Sequence, residues 1–277
     1  MNWREVWERK YRERAGIKRE PGPEYWDEVA EDFSQRNKSN DYEYGGKAVE
    51  AMREIINPDF EVMDIGAGPG TLAIPFAKVV RKMTAIEPSP VMVKHLLKNA
   101  QEEGIGNIKV INEGWQGVND CDMRKKFDIV ACSHLLWQFA DVDKQLERME
   151  QASRRYCCVV HPAGGAGTMV KGLWPKLVGR GYGGEVDPDL DDLVFVILRQ
   201  RGILVNVKVI DYVVRLSVEQ EVRLIARLLG KHVKLTPAII EVIRKSVLGK
   251  SRNGVHETRS NAVVMWWKIC KSTGGDD

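Results

Sequence analysis

The sequence predicts an α/β fold built on a doubly wound, mostly parallel sheet. Between residues 61 and 161, short apolar segments alternate with segments of helical periodicity. The segment FDIVAC, Phe127 to Cys132, is almost wholly apolar, as expected of a strand buried on both faces. Strands that alternate with helices indicate a parallel sheet with right-handed crossovers.

Three helical segments precede this region, at residues 1–20, 24–35 and 44–56. Pro21, Gly22 and Pro23 separate the first two, because two prolines and a glycine interrupt helical periodicity. We therefore predict an N-terminal helical cap over residues 1–56. Its aromatic side chains either form a lid over a site or pack the helices together, and the pattern leaves both alternatives open.

The alternating region begins with a predicted strand and ends with one. In order, we predict a strand at 61–65, a helix at 71–80, a strand at 82–86, a helix at 90–103, strands at 107–111 and 127–132, a helix at 141–152 and a strand at 156–161.

The last part of the chain is less regular. Two late strands are predicted at 204–214 and 261–269, with two helices between them that divide near Thr236 and Pro237. We predict one domain over residues 57–277, with helical insertions at about 163–203 and 217–250. GGAG, GRGYGG and the tail STGGDD are predicted to be irregular, the tail disordered.

Composition excludes several classes of protein. The 277 residues carry 42 basic and 39 acidic side chains, and a net charge of +3 is too small to indicate nucleic-acid binding by itself. Five cysteines without a C-x-x-C pair predict neither a disulfide framework nor a metal site. No apolar run approaches the ~20 residues of a membrane span, and the N-terminus does not resemble a signal peptide, so we expect a cytoplasmic protein.

A glycine-rich loop follows the first strand of the alternating region. Gly66, Gly68 and Gly70 come just after Asp64, and Glu87 ends the next strand. Ligands of open parallel sheets bind beyond the carboxyl ends of the strands, where glycines let a ligand approach the backbone. An acid at the end of the second strand can accept both hydroxyls of a ribose. The pattern therefore favours a nucleoside cofactor over an ordinary turn.

Two cofactors fit such a loop. A dinucleotide needs its pyrophosphate on a helix N-terminus, usually with G-x-G-x-x-G/A spacing, and Thr71 stands at the last position of that spacing. Asp64 would repel a pyrophosphate but would attract an ammonium group. S-adenosylmethionine combines a ribose with an amino-acid end, so it agrees better with both acids.

The segment VMDIGAGPGTLAIPFA, residues 62–77, followed by AIEPSP, residues 85–90, resembles the class I S-adenosylmethionine-dependent methyltransferases. The resemblance covers roughly residues 25–161, and the two late strands suit the antiparallel pair that ends the family's sheet. It implies a seven-stranded, Rossmann-like sheet.

The resemblance also implies roles for individual residues. Asp64 would organise the loop and the methionine end of the cofactor, and Glu87 would hold the ribose. Pro88 or Ser89 would line the adenine edge. The full set of expected cofactor-binding residues is Asp64, Gly66, Ala67, Gly68, Glu87, Pro88, Trp115, Gln116 and Ser133.

One part of the chain departs from the family pattern. Many members place an acid after the third strand, where it meets the adenine amino group, whereas this chain has Gly114, Trp115 and Gln116. We expect Trp115 to stack on adenine and Gln116 or Glu113 to supply a polar contact.

Residues after the fourth strand face the methyl group in the family. Ser133, His134 and Trp137 stand there, and Tyr25 and Trp26 of the cap are further candidates for the substrate side. His134 is the candidate general base, because the pKa of an unperturbed histidine lies near neutrality. The alternative is a structural histidine hydrogen-bonded near the cofactor.

The predicted reaction is methyl transfer from S-adenosylmethionine to a nucleophile, with S-adenosylhomocysteine as product. A small-molecule acceptor is expected, because the cap and residues 162–203 can close over the site. ACSH stands after the fourth strand in place of an N-P-P-Y tetrad, which argues against amino methylation of that type. A protein or RNA methyltransferase, a non-catalytic cofactor-binding protein and, more distantly, an NAD-dependent oxidoreductase are the alternatives. The sequence predicts no oligomeric state.

Overall fold

The computed structural model describes residues 2–17, 22–163, 168–179, 190–230 and 233–269. The predicted loops at 164–167 and 180–184 and the predicted disordered tail at 272–277 lie outside these residues. The strands are β1 (Glu61–Ile65), β2 (Lys82–Ile86), β3 (Ile108–Ile111), β4 (Phe127–Ser133), β5 (Ser153–Ala163), β6 (Val205–Ser217) and β7 (Val255–Lys268).

Eleven α-helices accompany these strands in the described ranges. They are α1 (Trp3–Ile17), α2 (Pro23–Ser39), α3 (Glu43–Ala51), α4 (Ala73–Ala77), α5 (Pro90–Glu102), α6 (Asp120–Met123), α7 (Val142–Ala152), α8 (Thr168–Val178), α9 (Leu190–Gln200), α10 (Val218–Leu229) and α11 (Pro237–Leu248).

The described strands form one seven-stranded sheet in the order β3-β2-β1-β4-β5-β7-β6. The first five strands are parallel, and β7 pairs antiparallel with both β5 and β6. The strand order reverses between β1 and β4. Open α/β sheets bind their ligands at such a switch point. The predicted α/β, doubly wound and mostly parallel seven-stranded sheet is confirmed.

Apolar side chains cover both faces of the sheet. One layer packs α1, α7 and α9 on Met63, Val130 and Cys157, and the other packs α3 and α4 on Val62 and Ile129. The neighbouring residues Val62 and Met63 point to opposite faces of the sheet, and both are apolar because both faces are covered.

Helix α4 is shorter than the predicted helix at 71–80. Pro75 has no N–H to donate to the carbonyl of Thr71, so a regular helix cannot start at Thr71. Helix α3 packs against this carbonyl through Gly45, where an added Cβ would lie 2.0 Å from the Thr71 oxygen. Helix α4 therefore starts late, at Ala73, which makes room for α3.

The cap helices occupy different places. Trp7 of α1 is buried, and its Nε1 donates to the carbonyl of Phe139 at 2.8 Å, so α1 packs on the sheet face that also carries α7 and α9. Helix α2 packs on α5 and β6, at the edge of the cavity described below. The division of the chain at residue 57 stays a prediction.

The late helices form a small core of their own. Helices α8, α10 and α11 pack together around Ile225 and Ile243. Ser217 and Gln220 form a capping box that begins α10, and Thr236 with Pro237 begins α11. Within the described part of the chain, no helix is both long and apolar enough to cross a membrane.

Candidate cofactor and acceptor site

A cavity of about 370 Å³ opens at the carboxyl ends of β1, β2 and β4. Its floor is the loop that follows β1, and its walls come from α2, α3 and β6. The volume lies within the roughly 300–1,000 Å³ range of small-molecule sites. Its lining combines aromatic side chains with a few titratable ones, which are Arg36, Glu43, Asp64, Glu87 and His134.

The loop after β1 folds back onto the end of β2. The backbone N–H groups of Gly66 and Ala67 donate to the carbonyl of Ile86 at 2.9 and 3.0 Å. Gly68 has φ +53°, and an added Cβ would meet no atom within 4 Å, so its free side faces open space. The loop therefore presents bare backbone to the cavity.

Glu87 connects the loop to the helix that follows β2. Its Oε2 accepts from the N–H of Gly68 at 2.8 Å, and its Oε1 accepts from the N–H of Ser89 at 2.9 Å. Burial raises the pKa of Glu87, although these two hydrogen bonds oppose the rise. Each oxygen keeps a second lone pair, so the carboxylate can still accept from two hydroxyl groups.

Asp64 lies at the other end of the loop. Its side chain is buried, and its Oδ1 has no hydrogen-bond partner among the described residues. Burial and the Glu87 carboxylate raise the pKa of Asp64 well above the usual range, and a hydrogen bond from Ala73 opposes this. A buried carboxylate without a cation is unfavourable, so a bound cation at Oδ1 would stabilise its ionised form.

Helix α5 starts beside Glu87. The buried hydroxyl of Ser89 accepts from the N–H of Met92 at 3.0 Å, and its own proton goes to Asp27 Oδ1 at 2.5 Å. Asp27 thus ties α2 to the start of α5. Because Ser89 is fully engaged, Pro88 is the residue of this pair that lines the cavity.

The end of β4 forms the opposite wall. The hydroxyl groups of Ser133 and Tyr44 lie 2.9 Å apart, and the Tyr44 ring lies 5.3 Å from the His134 ring and 5.0 Å from the Tyr212 ring, between centroids. His134 has φ +53°, which is rare outside glycine and is found at functional sites. Asp64 and the hydroxyl-bearing residues Tyr44 and Ser133 line the same cavity.

The His134 ring is accessible through the cavity yet surrounded by protein walls. This desolvation, with smaller effects of the nearby His161 and Arg36, lowers the pKa of His134 to about 3. The imidazole is therefore neutral at physiological pH and has a free proton-accepting nitrogen.

One segment of the chain matches a known family. A family model described as a methyltransferase domain matches residues 62–156, from β1 into β5. The YcgJ protein of Bacillus subtilis has a similar fold, with a TM-score of 0.52 and 16% identity, over 81% of this chain and 99% of that chain. Over residues 62–156, the predicted resemblance to the class I S-adenosylmethionine-dependent methyltransferases is confirmed.

Curated relatives match this chain over short segments. The chain is 29% identical over 108 residues to the uncharacterized methyltransferase YcgJ of B. subtilis, which is 38% of this chain and 42% of that protein. It is 35% identical over 81 residues to a protein of Methanosphaera stadtmanae named a probable ribosomal RNA small subunit methyltransferase A, over 28% of this chain and 29% of that protein. The chain spans less than half the length of these relatives.

S-adenosylmethionine is the methyl donor of this family, and the residues present fit it. The unpartnered Oδ1 of Asp64 suits the donor's ammonium group, and Glu87 suits two ribose hydroxyls. Ten of the residues expected from the sequence line the cavity: Trp26, Asp64, Gly66, Ala67, Gly68, Glu87, Pro88, Ser133, His134 and Trp137.

Three expected site residues do not line the cavity. Trp115 is buried in the core, where the guanidinium of Arg148 lies 4.3 Å from its ring and donates to its carbonyl at 3.1 Å. Gln116 is exposed on the same short 3₁₀ turn, and Tyr25 contacts Trp26 edge-on at 5.1 Å. The turn directs Trp115 beneath α7, so the structure does not support its stacking on adenine.

The sequence reasoning missed the cavity residues that come from α2, α3 and β6. The main ones are Arg36, Asn40, Tyr42, Tyr44, Tyr212 and Val214. One local signal was present, since Asp32, Arg36 and Asn40 repeat every four residues and form a polar stripe on one face of α2. The contribution of β6 has no comparable local signal.

Proposed function

We propose that this chain transfers a methyl group from S-adenosylmethionine to a small molecule. One observation carries the proposal: the unpartnered oxygen of Asp64, the carboxylate of Glu87 and an aromatic wall at β4 and β6 line a single cavity of about 370 Å³. The two acids suit the two ends of the cofactor. The aromatic wall is left for an acceptor.

The cofactor-binding roles follow from the contacts. Asp64 holds the ammonium group, because its Oδ1 lacks a partner among the described residues. Glu87 accepts the ribose hydroxyls while its own oxygens stay oriented by the N–H groups of Gly68 and Ser89. Pro88 lines the adenine edge, and the open side of Gly68 admits the ligand to the backbone.

When bound, S-adenosylmethionine supplies an electrophilic methyl group on a sulfonium. The chain's own contribution is alignment and exclusion of water, which can account for most of the rate. The hydroxyl groups of Ser133 and Tyr44 can hydrogen-bond the acceptor. The neutral ring of His134 can accept a hydrogen bond from a hydroxyl or thiol acceptor, whereas its lowered pKa makes it a weaker general base than the sequence predicts.

A small acceptor agrees with the way the cavity is covered. Helix α2 crosses it from one side, with Trp26 and Phe33, and β6 borders it with Tyr212 and Val214. A folded RNA or protein would need a wider approach to the end of β4. The net charge of +3 also provides little general attraction for a phosphate backbone.

An RNA acceptor is the second candidate. The relative from M. stadtmanae, named for ribosomal RNA methylation, favours it, although the match covers only 28% of this chain. Under this alternative the enzyme would methylate an extruded base, and transfer would weaken steeply with salt.

A labelled-methyl assay tests the proposal. The enzyme and labelled S-adenosylmethionine are incubated with native cell extract, which is then divided into small-molecule, protein and RNA fractions. We expect label in the small-molecule fraction, and none with Asp64→Asn. Label in RNA or protein would refute the small-molecule acceptor, and cofactor binding without transfer to any fraction would indicate a non-catalytic binding protein.

A further inference from the structure

Arg36 lies on the face of α2 that is turned toward β6 and α10. Asp32 and Asn40, one turn on either side of it, share this face. Asp32 Oδ1 accepts from Arg223 Nη2 of α10 at 2.7 Å. Asn40 is bonded to the backbone of Arg215 in β6, donating to its carbonyl at 3.0 Å and accepting from its N–H at 2.6 Å. These contacts hold Arg36 at the wall that β6 forms.

The Arg36 guanidinium is half-buried in the cavity lining. In the ranges that the structure describes, no carboxylate forms an ion pair with it and no acceptor takes a hydrogen bond from it. Its neighbours differ: Arg215 pairs with Glu257 at 2.9 Å and Arg223 pairs with Asp32. Partial burial of an unpaired guanidinium costs free energy, which a bound anion would offset.

The charge of Arg36 reaches the buried Glu221 of α10, where it opposes the rise in pKa that burial causes. Glu221 lies outside the cavity lining and beside His256, at 3.7 Å, and forms no ion pair with Arg36.

The acids of the cavity itself do not pair with Arg36 either. Oε2 of Glu43 lies 4.0 Å from Nη1 of Arg215, which belongs to β6. Asp64 and Glu87 lie at the glycine loop. The pKa of Asp64 is raised by burial and, to a smaller extent, by the charge of Glu87. Burial raises the pKa of Tyr212, and the positive charge of Arg36 opposes that rise. Arg36 therefore acts on the β6 wall, at a different place from the two acids.

Aromatic rings lie within reach of the Arg36 charge. The charge of Arg36 reaches the rings of Tyr212 and His134, and the Tyr44 ring lies within 5.3 Å of both, between centroids. A guanidinium presents planar, paired N–H donors that match the oxygens of a carboxylate or phosphate. A ligand for this wall needs one oxyanion and an apolar or aromatic body.

We propose that Arg36 binds a carboxylate or phosphate group of the methyl acceptor, so that the acceptor is a small anion with an apolar or aromatic body. This rests on the proposed function, because it concerns the acceptor end of the same cavity. It adds a specificity-determining residue and a substrate class.

Direct binding tests the site without turnover. The protein, saturated with S-adenosylhomocysteine, is titrated with benzoate, phenyl phosphate and the neutral analogue benzyl alcohol, followed by ligand-observed NMR. We expect at least one anion to bind about tenfold or more tightly than benzyl alcohol, and Arg36→Met to remove this preference. Lys38→Met is the control, because Lys38 pairs with Glu102 outside the cavity lining. Equal binding of anions and alcohol, or a preference that survives in Arg36→Met, would overturn the proposal.

Two further measurements separate the possible sources of the anion. Calorimetry compares S-adenosylhomocysteine with 5′-methylthioadenosine, which lacks the amino-acid end. We expect Arg36→Met to bind both as the wild type does; a selective loss of S-adenosylhomocysteine would assign Arg36 to the cofactor's carboxylate and overturn the proposal. In the labelled extract, anion exchange should retain the labelled product. A missing transfer reaction would refute the proposed function, whereas the titration decides the role of Arg36 independently.

Discussion

The backbone N–H of Gly68 donates to Oε2 of Glu87 at 2.8 Å, so the acid that ends β2 holds the loop that follows β1. In Glu87→Gln the amide NH₂ would face one of the two N–H donors that the carboxylate now accepts from. We expect S-adenosylhomocysteine to bind roughly 10- to 100-fold more weakly, as calorimetry would measure. Glu102→Gln, on the exposed side of α5, is the control. An unchanged affinity in Glu87→Gln would exclude Glu87 from the cofactor site.

Asp64 should link cofactor binding to proton release. Because burial and Glu87 raise its pKa, part of the free protein is protonated at Asp64 in mildly acidic solution. An ammonium group beside Oδ1 favours the ionised form, so S-adenosylhomocysteine should displace that proton. Calorimetry in two buffers of different ionisation enthalpy measures the release. Asp64→Asn should abolish it and weaken binding roughly 10- to 100-fold; proton release that persists in this variant would assign it to another group.

Two adjacent glycines of α3 should respond oppositely to alanine. At Gly45 an added Cβ would lie 2.0 Å from the carbonyl oxygen of Thr71 and 2.8 Å from Pro75, whereas at Gly46 it would meet nothing within 4 Å. We expect Gly45→Ala to lower the free energy of unfolding by about 1–3 kcal/mol and Gly46→Ala to raise it by up to about 1 kcal/mol. Denaturant unfolding checks both, and equal effects would contradict the close packing of α3 on the cofactor loop.

His161 should make the protein less stable in acid. The side chain is buried, its Nε2 has no hydrogen-bond partner among the described residues, and burial lowers its pKa from 6.5 to about 4. As pH falls below 6.5, the unfolded chain binds a proton that the folded chain does not, so the free energy of unfolding decreases until the folded state also titrates. The contribution of His161 to the free energy of unfolding is therefore lost between neutral pH and about pH 4.

The size of this effect follows from the two pKa values. From about pH 7 to about pH 5, His161 should account for a loss of about 2 kcal/mol in the free energy of unfolding. Denaturant titrations at both pH values compare the wild type with His161→Gln, which should lose correspondingly less on acidification. His95→Gln, on α5, should behave as the wild type does. The same loss in His161→Gln would place the acid sensitivity elsewhere.

Trp115 should matter for folding and not for the cofactor. Its ring packs against the Arg148 guanidinium, away from the cavity lining. We expect Trp115→Phe to lower the free energy of unfolding by about 1–2 kcal/mol while the affinity for S-adenosylhomocysteine stays unchanged. Gln116→Ala should change neither quantity. A large loss of affinity in Trp115→Phe with intact stability would restore its expected role beside adenine.

Local patterns were sufficient to predict the sheet and the cofactor end of the cavity. The loop from Asp64 to Gly70 and the acid Glu87 belong to two consecutive strand ends, and parallel pairing brings such ends together. The register aligns Ile65 with Ile86, so Glu87 arrives next to the loop without help from distant parts of the chain. Strand alternation predicted these positions because side-chain periodicity and crossover handedness are local properties.

Only the tertiary structure decided the cavity wall that α2, α3 and β6 form. Tyr44 and Ser133 meet across 89 residues of sequence, and Asn40 contacts Arg215 across 175. Such pairs depend on how α2 and α3 pack against β6, and no local periodicity encodes that packing. The expected stacking of Trp115 on adenine lacks support for the same reason, since Arg148 of α7 determines where the Trp115 ring lies. The sequence by itself therefore determined the fold and the methyl donor, whereas helix packing decided which side chains form the rest of the cavity wall.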